Sequence, residues 1–515
     1  MYLLGIDIGT TNWKAVLYDG AGNAVAQSAT PTLTHYGDAG EAVYHADEIW
    51  RGVCQLLQDI IAQGKQQARG RPFQPAEIKG VAVTGMGETV VPVDAGGRPL
   101  YDAIAWFDPR TEPQYRWLKA QYGSAALFEI TGVPLTPIFS LNKILWIRDN
   151  APEVFRQSYK WLTMPDWIML KLSGEYATEY SEATRTMCFD ICAKRWSAAI
   201  LDFVGLDQAQ FPALYPSGTV IGKVHRQASQ ETGLAVGTPV VTGGHDHICG
   251  ALAMGVFQAG PALDSCGTSE SLMLSLDQVE LTAELHEKEM VYGCHVAREK
   301  YSMIAGLYTS GVIVRWFQEQ FAPATVTDAE AYQRLLAEAQ QIAPGAEGVF
   351  FLPHFRGAST TPVDPLSRST FIGILSHHAR GHLFRAIIEG LCYEVRRLLE
   401  IMEASACTTV KQLRFIGSAR NEFWLQAKAD ILNRSLEVPA VTEGTCLGAA
   451  LLAGIGVGVY RDEQEAFQQA YRRGKIYEPA AENVARYDTF YHEIFADIYP
   501  TLAPLHHKIA KVLHS

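Results

Sequence analysis

The chain has few charged residues and lacks an excess of positive charge. Of its 515 residues 19% are charged. There are 43 Lys and Arg and 55 Asp and Glu, which gives a formal net charge of -12. Binding a nucleic acid over a large footprint requires a basic face. The composition therefore argues against a nucleic-acid partner, but it is still compatible with a local basic pocket for a nucleotide.

Paired cysteines and long apolar runs are also missing. The nine cysteines are scattered, and none has the CxxC spacing of zinc or redox sites, so we expect free thiols in a reducing cytoplasm. The N-terminus lacks the basic region and apolar run of a signal peptide. Residues 446–459 are apolar but fall short of the roughly 20 residues of a membrane helix. We therefore expect a cytoplasmic protein with no membrane partner.

The length and the hydrophobic content indicate a globular protein of two domains. Hydrophobic residues make up 48% of the chain, and 515 residues are too many for one ordinary core. Strand patterns alternate with helical ones, which predicts an α/β architecture with mixed sheets. Apolar residues at three- and four-residue steps predict a helix over 381–402. Further helices are predicted over 421–433 and from Glu443 to Leu452.

Two segments look like one supersecondary unit used twice. Each has an Asp followed by Gly-Thr between apolar stretches, in residues 3–18 and in residues 262–274. Both predict β-hairpins with hydroxyl-lined tips. If each unit begins a domain, the boundary lies within residues 255–260, which gives domains over 1–254 and 255–515.

The Gly-Thr tips suit phosphate groups. Glycine permits close approach, free N–H groups point inward and hydroxyls add neutral donors. One such tip is a common turn, but its recurrence favours a polyphosphate held between the two. Lys14 adds a positive charge after the first tip, and Asp7, on the strand that enters it, can hold Mg²⁺ directly or through water. The alternative is that Asp7 caps the turn.

Asp246 follows a strand and two glycines and is flanked by His245 and His247. Phosphoryl transfer to an alcohol needs an acceptor for the hydroxyl proton, and Asp is the usual base in such kinases. Asp246 is therefore the candidate general base, with a helix cap as the alternative. A zinc site built on this HxH alone is disfavoured, because no further spaced ligands accompany it.

A third cluster suits a polyhydroxylated ligand. Glu88 follows one strand, and Trp106 and Asp108 follow another. Such ligands are held by carboxylates that accept hydroxyl hydrogen bonds beside an aromatic wall. We predict that these three side chains bind the substrate, although each alone fits a surface or core position equally well.

Four ordered motifs, spread over essentially the whole chain, resemble the FGGY carbohydrate kinases of the actin/sugar kinase/Hsp70 superfamily. They are Gly5-Ile6-Asp7-Ile8-Gly9-Thr10-Thr11, Gly244-His245-Asp246, Asp264-Ser265-Cys266-Gly267-Thr268 and residues 417–424. The resemblance implies an α/β fold of two ribonuclease H-like (actin-like ATPase) domains around a central cleft. It also implies ATP and Mg²⁺ as cofactors, a small sugar or polyol as substrate and, as is frequent in the family, a homodimer.

The resemblance assigns roles residue by residue. Asp246 matches the general base and Asp7 the Mg²⁺-associated acid. The nucleotide-binding matches are Thr10, Thr11, Asn12 and Lys14 in the first phosphate loop, Gly267 and Thr268 in the second, Gly311 beside the terminal phosphates, and Gly417, Ser418 and Asn421 in the adenosine pocket. The predicted substrate contacts are Glu88, Trp106, Asp108, Asp246 and His247. Residues 181–190 resemble a stretch of the first domain beneath the substrate.

The resemblance leaves the substrate open. Glycerol kinases carry Arg-Glu where this chain has Gly87-Glu88, and xylulose kinases carry a His that residues 85–88 lack. Trp106-Phe107-Asp108 looks closer to the xylulose-kinase pattern, and the small Gly87 would leave room for a substrate larger than glycerol. We expect phosphorylation of a primary hydroxyl of a small ketose such as xylulose. The alternatives are a polyol kinase of the glycerol or erythritol type, a chaperone-like ATPase, and a non-catalytic regulator that binds sugar or ATP.

Overall fold

The computed structural model describes residues 1–67, 73–321, 327–359, 362–417, 421–441 and 443–513, which form two large mixed sheets with helices on their faces and five small sheets. The strands are β1 (Tyr2–Ile8), β2 (Asn12–Asp19), β3 (Ala24–Pro31), β4 (His35–Tyr36), β5 (Ala42–Tyr44), β6 (Ile78–Gly85), β7 (Val90–Val93), β8 (Ala103–Ile104), β9 (Lys160–Thr163), β10 (Ala177–Glu179), β11 (Phe189–Asp190), β12 (Arg195–Trp196), β13 (Ala213–Tyr215), β14 (Val220–Lys223), β15 (Pro239–His245), β16 (Pro261–Cys266), β17 (Glu270–Leu276), β18 (Val291–Cys294), β19 (Tyr301–Leu307), β20 (Phe350–Leu352), β21 (Thr370–Ile372), β22 (Gln412–Gly417), β23 (Ser435–Val438) and β24 (Lys475–Tyr477).

The helices lie between and after these strands. They are α1 (Ala46–Gln67), α2 (Glu112–Gln121), α3 (Ser124–Thr131), α4 (Ser140–Asn150), α5 (Pro152–Gln157), α6 (Met164–Ser173), α7 (Tyr180–Thr184), α8 (Ala198–Val204), α9 (Arg226–Thr232), α10 (Asp246–Ala253), α11 (Ala283–Glu287), α12 (Gly311–Phe321), α13 (Asp328–Gln340), α14 (Arg380–Ser405), α15 (Glu422–Leu432), α16 (Gly444–Gly456), α17 (Glu463–Ala470), α18 (Ala481–Phe490) and α19 (Ala496–Leu513). No helix in these described ranges is long and apolar enough to cross a membrane.

The first sheet has the strand order β14-β15-β6-β1-β2-β3. Strands β15, β6 and β1 run parallel, and β1 and β2 form the first predicted hairpin. The central strands are buried and rich in Val, Ile and Leu, as is usual where helices cover both faces of a sheet. Gly85 pairs with both Ile8 and His245. The three parallel strands therefore end together, and the segments that follow them meet at one edge.

The second sheet repeats this local arrangement. Its order is β18-β19-β17-β16-β22-β23-β24, in which β16 and β17 form the second predicted hairpin and β22 runs parallel to β16. Cys266 at the end of β16 pairs with Gly417 at the end of β22. Both predicted hairpins are therefore confirmed, and each lies beside a parallel strand that ends at the level of its tip.

Helices α10 and α16 lie between the two sheets and share one hydrophobic cluster with them, which includes Leu3 of the first sheet and Leu263 of the second. Glycine allows the close packing. A Cβ on Gly5 would lie 2.0 Å from the carbonyl oxygen of Cys446 in α16. Helix α16 thus comes from the C-terminal half of the chain but covers the first sheet.

The three predicted helices are present with slightly shifted ends, as α14, α15 and α16. The ends of α15 have a local cause. Asn421 caps its N-terminus, where its side chain accepts a hydrogen bond from the Trp424 amide at 2.8 Å. Asn433 takes a left-handed conformation at φ 51° and ends the helix. The predicted domain boundary falls in the connection between α10 and β16 and stays a prediction.

Candidate active site

A cavity of about 320 Å³ is lined by both halves of the chain. From the first half its walls include Thr10, Met86, Glu88, Trp106, Arg185, Asp246 and His247, and from the second half Ser271, Met290, Gly306 and Tyr308. The volume suits a small ligand. The first-half residues come largely from the segments that follow β1, β6 and β15, so the shared edge of the first sheet brings them together.

Asp7 lies near the end of β1 and is 8% exposed. Its Oδ2 accepts a hydrogen bond from the Thr445 hydroxyl of α16 at 2.7 Å, whereas its Oδ1 has no hydrogen-bond partner among the described residues. Burial raises the pKa of the Asp7 carboxyl to about 7, and the neighbouring Asp246 carboxylate adds to the rise. A cation would relieve both the burial of this charge and its repulsion from Asp246. The donor set therefore fits Mg²⁺, which prefers carboxylate oxygens.

The first hairpin tip joins this site through Thr10, whose hydroxyl accepts a hydrogen bond from the Trp106 indole at 3.0 Å. Thr11 is exposed at the tip, and Asn12 begins β2. Lys14 forms an ion pair with Glu443 at 2.8 Å between Nζ and Oε2. The positive charge predicted to serve a phosphate is thus already balanced by an acid just before α16.

Asp246 begins α10 and keeps 23% of its side chain exposed, on the cavity wall. Its Oδ1 accepts a hydrogen bond from the His247 amide at 2.5 Å, but Asp246 does not cap α10, because His245 is the N-cap residue and no side chain caps the helix. The His245 Nδ1 lies 3.2 Å from the same oxygen, and burial lowers the pKa of the His245 imidazole to about 4, so this ring is neutral at pH 7. His247 also lines the cavity, with 46% of its side chain exposed.

Glu88 is held in the cavity wall by Arg185, a residue to which the sequence assigned no role. The Arg185 Nε donates to Glu88 Oε1 at 2.7 Å, and its Nη2 contacts the same oxygen. Burial alone would raise the pKa of the Glu88 carboxyl, but the neighbouring groups, led by the Arg185 guanidinium, together lower that pKa to about 2. Glu88 is therefore ionised and accepts hydrogen bonds.

The space beside Gly87 is occupied. A Cβ on Gly87 would lie 2.7 Å from Cγ of Arg185 and 2.8 Å from Oε2 of Glu182. The expectation that this glycine leaves room for a larger substrate is wrong, because the Arg185 side chain fills that room. The only sequence signal for Arg185 was its place in the stretch 181–190 that the resemblance singled out.

Asp108 does not face the cavity, which corrects the prediction that it binds substrate. Its side chain is fully buried. Its carboxylate accepts hydrogen bonds from the amides of Ala42 at 2.6 Å and Arg110 at 2.8 Å, and it forms an ion pair with the Arg110 guanidinium. A carboxylate with these partners caps a turn and holds the small sheet of β4, β5 and β8.

The second hairpin tip packs on the N-terminus of α12. The Gly311 amide donates to the Gly267 carbonyl at 3.0 Å, and a Cβ on Gly311 would lie 2.4 Å from that oxygen. The Ser310 amide donates to the Thr268 carbonyl at 3.0 Å. Because Cys266 pairs with Gly417, the predicted residues Gly267, Thr268, Gly311 and Gly417 lie together.

The predicted adenosine residues are only partly described. Asn421 donates from Nδ2 to the Tyr332 hydroxyl at 2.7 Å while its Oδ1 caps α15. Ser418 lies outside the described residues. The start of α15 is thereby joined to α13, which carries Tyr332.

Two family models match consecutive parts of the chain. Residues 2–253 match the N-terminal domain and residues 262–457 the C-terminal domain of the FGGY family of carbohydrate kinases. A xylulose kinase of Lactococcus lactis is 30% identical over 519 residues, covering 99% of either chain. A glycerol kinase of Thermococcus kodakarensis is 29% identical over 490 residues, covering 94% of either chain.

A solved structure shows the same fold. The crystal structure of a xylulose kinase from Rhodospirillum rubrum matches this chain with a TM-score of 0.89 and 26% sequence identity, over 98% of this chain and 100% of that chain. The predicted α/β fold with two actin-like ATPase domains is thereby confirmed.

Proposed function

Because the chain belongs to the FGGY family of carbohydrate kinases, we propose that it transfers the γ-phosphate of ATP to a primary hydroxyl of a small ketose such as xylulose. ATP-dependent phosphorylation of a sugar is the activity of the family. One observation carries the proposal for the site: Asp246 and the ionised Glu88 open onto the same cavity, beside the first Gly-Thr tip.

In this reaction Asp246 is the general base. The substrate hydroxyl attacks the γ-phosphorus, its proton passes to the Asp246 carboxylate, and the bond from phosphorus to the bridging β-γ oxygen breaks to release ADP. Three features of Asp246 support this role. Its carboxylate lines the cavity, it is partly exposed, and its neighbour His245 is neutral, so that ring places no positive charge beside the carboxylate.

Asp7 would hold Mg²⁺ through its unpartnered Oδ1, and Thr445 keeps its other oxygen in place. When bound, the ion offsets the negative charge of the β- and γ-phosphates. Thr10, Thr11, Asn12 and Lys14 would contact the phosphates from the first hairpin. Gly267, Thr268 and Gly311 would do so from the second, with Gly417 and Asn421 nearer the adenosine.

Glu88, Trp106 and His247 would bind the sugar. Glu88 accepts hydrogen bonds from hydroxyls because Arg185 keeps it ionised, and Trp106 supplies an apolar wall whose indole N–H is already used by Thr10. Arg185 is a positioning residue in this scheme. Its guanidinium fixes one carboxylate oxygen of Glu88 and leaves the other for the substrate.

A polyol such as glycerol or erythritol is the second candidate, and one observation favours it. Because Arg185 fills the space beside Gly87 and brings a guanidinium to Glu88, the missing Arg at position 87 no longer argues against a short triol. The relatives include both xylulose and glycerol kinases.

The test is sugar-dependent ADP release, measured with ketoses, polyols, sugar acids and aldoses under saturating ATP and Mg²⁺. We expect the highest kcat/KM for a small ketose, and Asp246→Asn should lower turnover ~10²-fold or more while ATP still binds. Near-normal turnover of that variant would remove Asp246 from its role. An aldose-only profile would contradict the choice of substrate without affecting the assignment of the base.

We also propose that the enzyme acts in the cytoplasm as a homodimer. All nine cysteines are free thiols in the structure, in keeping with a reducing compartment. Sedimentation of the purified chain checks the oligomeric state, and a monomer at micromolar concentration would contradict it.

A further inference from the structure

His35, His45 and Glu48 form a cluster outside the cavity, and their candidate ligand atoms all lie within 4.8 Å of one another. His35 is in β4, His45 follows β5, and Glu48 is in the first turn of α1. The two imidazole rings are 4.0 Å apart between centroids, and His35 Nε2 lies 2.6 Å from Glu48 Oε2. Three side chains of the types that bind transition metals therefore converge from three elements.

Asp102 fixes the tautomer of His45. Its Oδ1 lies 2.7 Å from Nδ1 of that ring. An ionised carboxylate only accepts hydrogen bonds, so Nδ1 carries the proton and Nε2 presents its lone pair. A histidine that binds a metal through one ring nitrogen usually donates a hydrogen bond from the other nitrogen to a carboxylate, as His45 does here.

We propose that His35, His45 and Glu48 bind a divalent cation of the zinc class, with Asp102 as the outer partner of His45. In the metal-free protein a proton lies between His35 and Glu48, and the cation replaces it. Two imidazoles and one carboxylate leave a fourth position for water in a tetrahedral site. The side chains are 42%, 39% and 28% exposed, so an ion can reach them from solvent. Nitrogen ligands also distinguish this site from the all-oxygen environment of Asp7.

A second group of the same composition lacks the right tautomer. Glu347, His377 and His378 also bring their ligand atoms within 4.8 Å. The Nδ1 of His378, however, accepts a hydrogen bond from the Leu375 amide at 2.9 Å. The neutral ring then carries its proton on Nε2, which leaves no lone pair there for a metal. This group serves as the matched control.

The proposed ion would link elements that support the sugar-binding wall. Strands β4, β5 and β8 form one small sheet, and Asp102 directly precedes β8. Trp106 follows β8 by two residues and lines the cavity. The cation would therefore fix the far end of the strand that leads to Trp106, without contacting the substrate.

The experiment is a calorimetric titration of chelator-treated full-length protein with Zn²⁺, together with Co²⁺ absorption spectra to report coordination. We expect one tight site per chain. His35→Gln and His45→Gln should each weaken Zn²⁺ binding by about 100-fold or more, and Asp102→Asn by about 10- to 100-fold. His378→Gln should leave the affinity unchanged.

Several outcomes would overturn the proposal: no tight Zn²⁺ site in the unaltered protein, an unchanged affinity in the His35→Gln/His45→Gln double variant, or an equal loss in His378→Gln. Glu48→Gln provides a test that alters neither ring and should also weaken binding. Sugar-dependent ADP release by every variant checks that it is folded, because these side chains lie outside the cavity.

Discussion

The two Gly-Thr hairpins share a sequence pattern but direct their acids to opposite faces of their sheets. Asp7 lies two residues before Gly9, whereas Asp264 lies three residues before Gly267. Side chains alternate along a strand, so the extra residue moves the acid to the other face. With the tips aligned, Asp264 occupies the position of Ile6, which is fully buried in the first sheet.

The surroundings of the two acids differ accordingly. Asp7 and Asp264 each have one oxygen without a hydrogen-bond partner among the described residues, but the other oxygen of Asp7 accepts only from the neutral Thr445 hydroxyl. Asp264 is fully buried, and its Oδ2 lies 2.7 Å from Nζ of Lys428, which also pairs with Glu270. The Ser310 hydroxyl next to α12 donates to Glu270 at 2.8 Å. The same pattern thus yields an acid available to a cation in one hairpin, and in the other an acid that already pairs with Lys428 of α15.

The largest expected effect comes from removing the cation that neutralises the second acid. Lys428→Met leaves Asp264 and Glu270 buried without their partner, and breaking such a pair costs about 3–5 kcal/mol of unfolding free energy. Urea unfolding measures it. The matched control is Lys475→Met, because Lys475 pairs with Glu422 at the surface and is 55% exposed. That change should leave the free energy of unfolding nearly unchanged, because an exposed ion pair contributes little to stability. Equal stability of the two variants would contradict a structural role for the second acid.

The second effect is on turnover and concerns Asp7. Asp7→Asn removes the charge that would hold Mg²⁺, so turnover should fall ~10²-fold, while stability without metal is unchanged or higher because repulsion from Asp246 is lost. Asp264→Asn should show the reverse, with lower stability and a smaller loss of turnover. Steady-state kinetics and thermal unfolding of both variants separate the two roles. If the two variants lose turnover equally, the contrast between the hairpins is wrong.

The sequence predicts the parts of the site that lie within continuous motifs and misses partners that arrive from distant segments. Each hairpin follows from local alternation and turn residues, and the ends of α15 follow from Asn at either end. The partners of the predicted acids are 97 residues away for Glu88, 164 for Asp264 and 438 for Asp7. No local pattern encodes such pairs, because they depend on how segments distant in sequence pack together.

Asp108 and Gly87 show a second limit of the sequence. A carboxylate after an aromatic residue fits a sugar site and a turn cap equally well, and only its hydrogen bonds to Ala42 and Arg110 decide between them. A glycine indicates that a side chain is absent but not what occupies the space, which here is Arg185.

The last expected effect is a pH slope: burial raises the pKa of both hairpin acids, Asp7 and Asp264, and an Asp7→Asn variant isolates the part that Asp7 contributes. Burial raises the pKa of Asp7 from 3.8 to about 7, so between these values the folded state keeps a proton that the unfolded state releases. This contribution to stability is complete below pH ~4 and is lost as pH rises through 7, at about 1.4 kcal/mol per pH unit.

Asp7→Asn has no such proton, so its stability relative to the unaltered protein should increase from pH 5 to 7 and level off above about pH 8. Urea unfolding of the two metal-free proteins at four pH values measures this difference. When both proteins also carry Asp246→Asn, the stability difference should increase over a shorter pH range. The Asp246 charge contributes to the raised pKa of Asp7, and this variant removes it. A difference that is constant with pH would mean that Asp7 is ionised throughout, which would contradict its raised pKa.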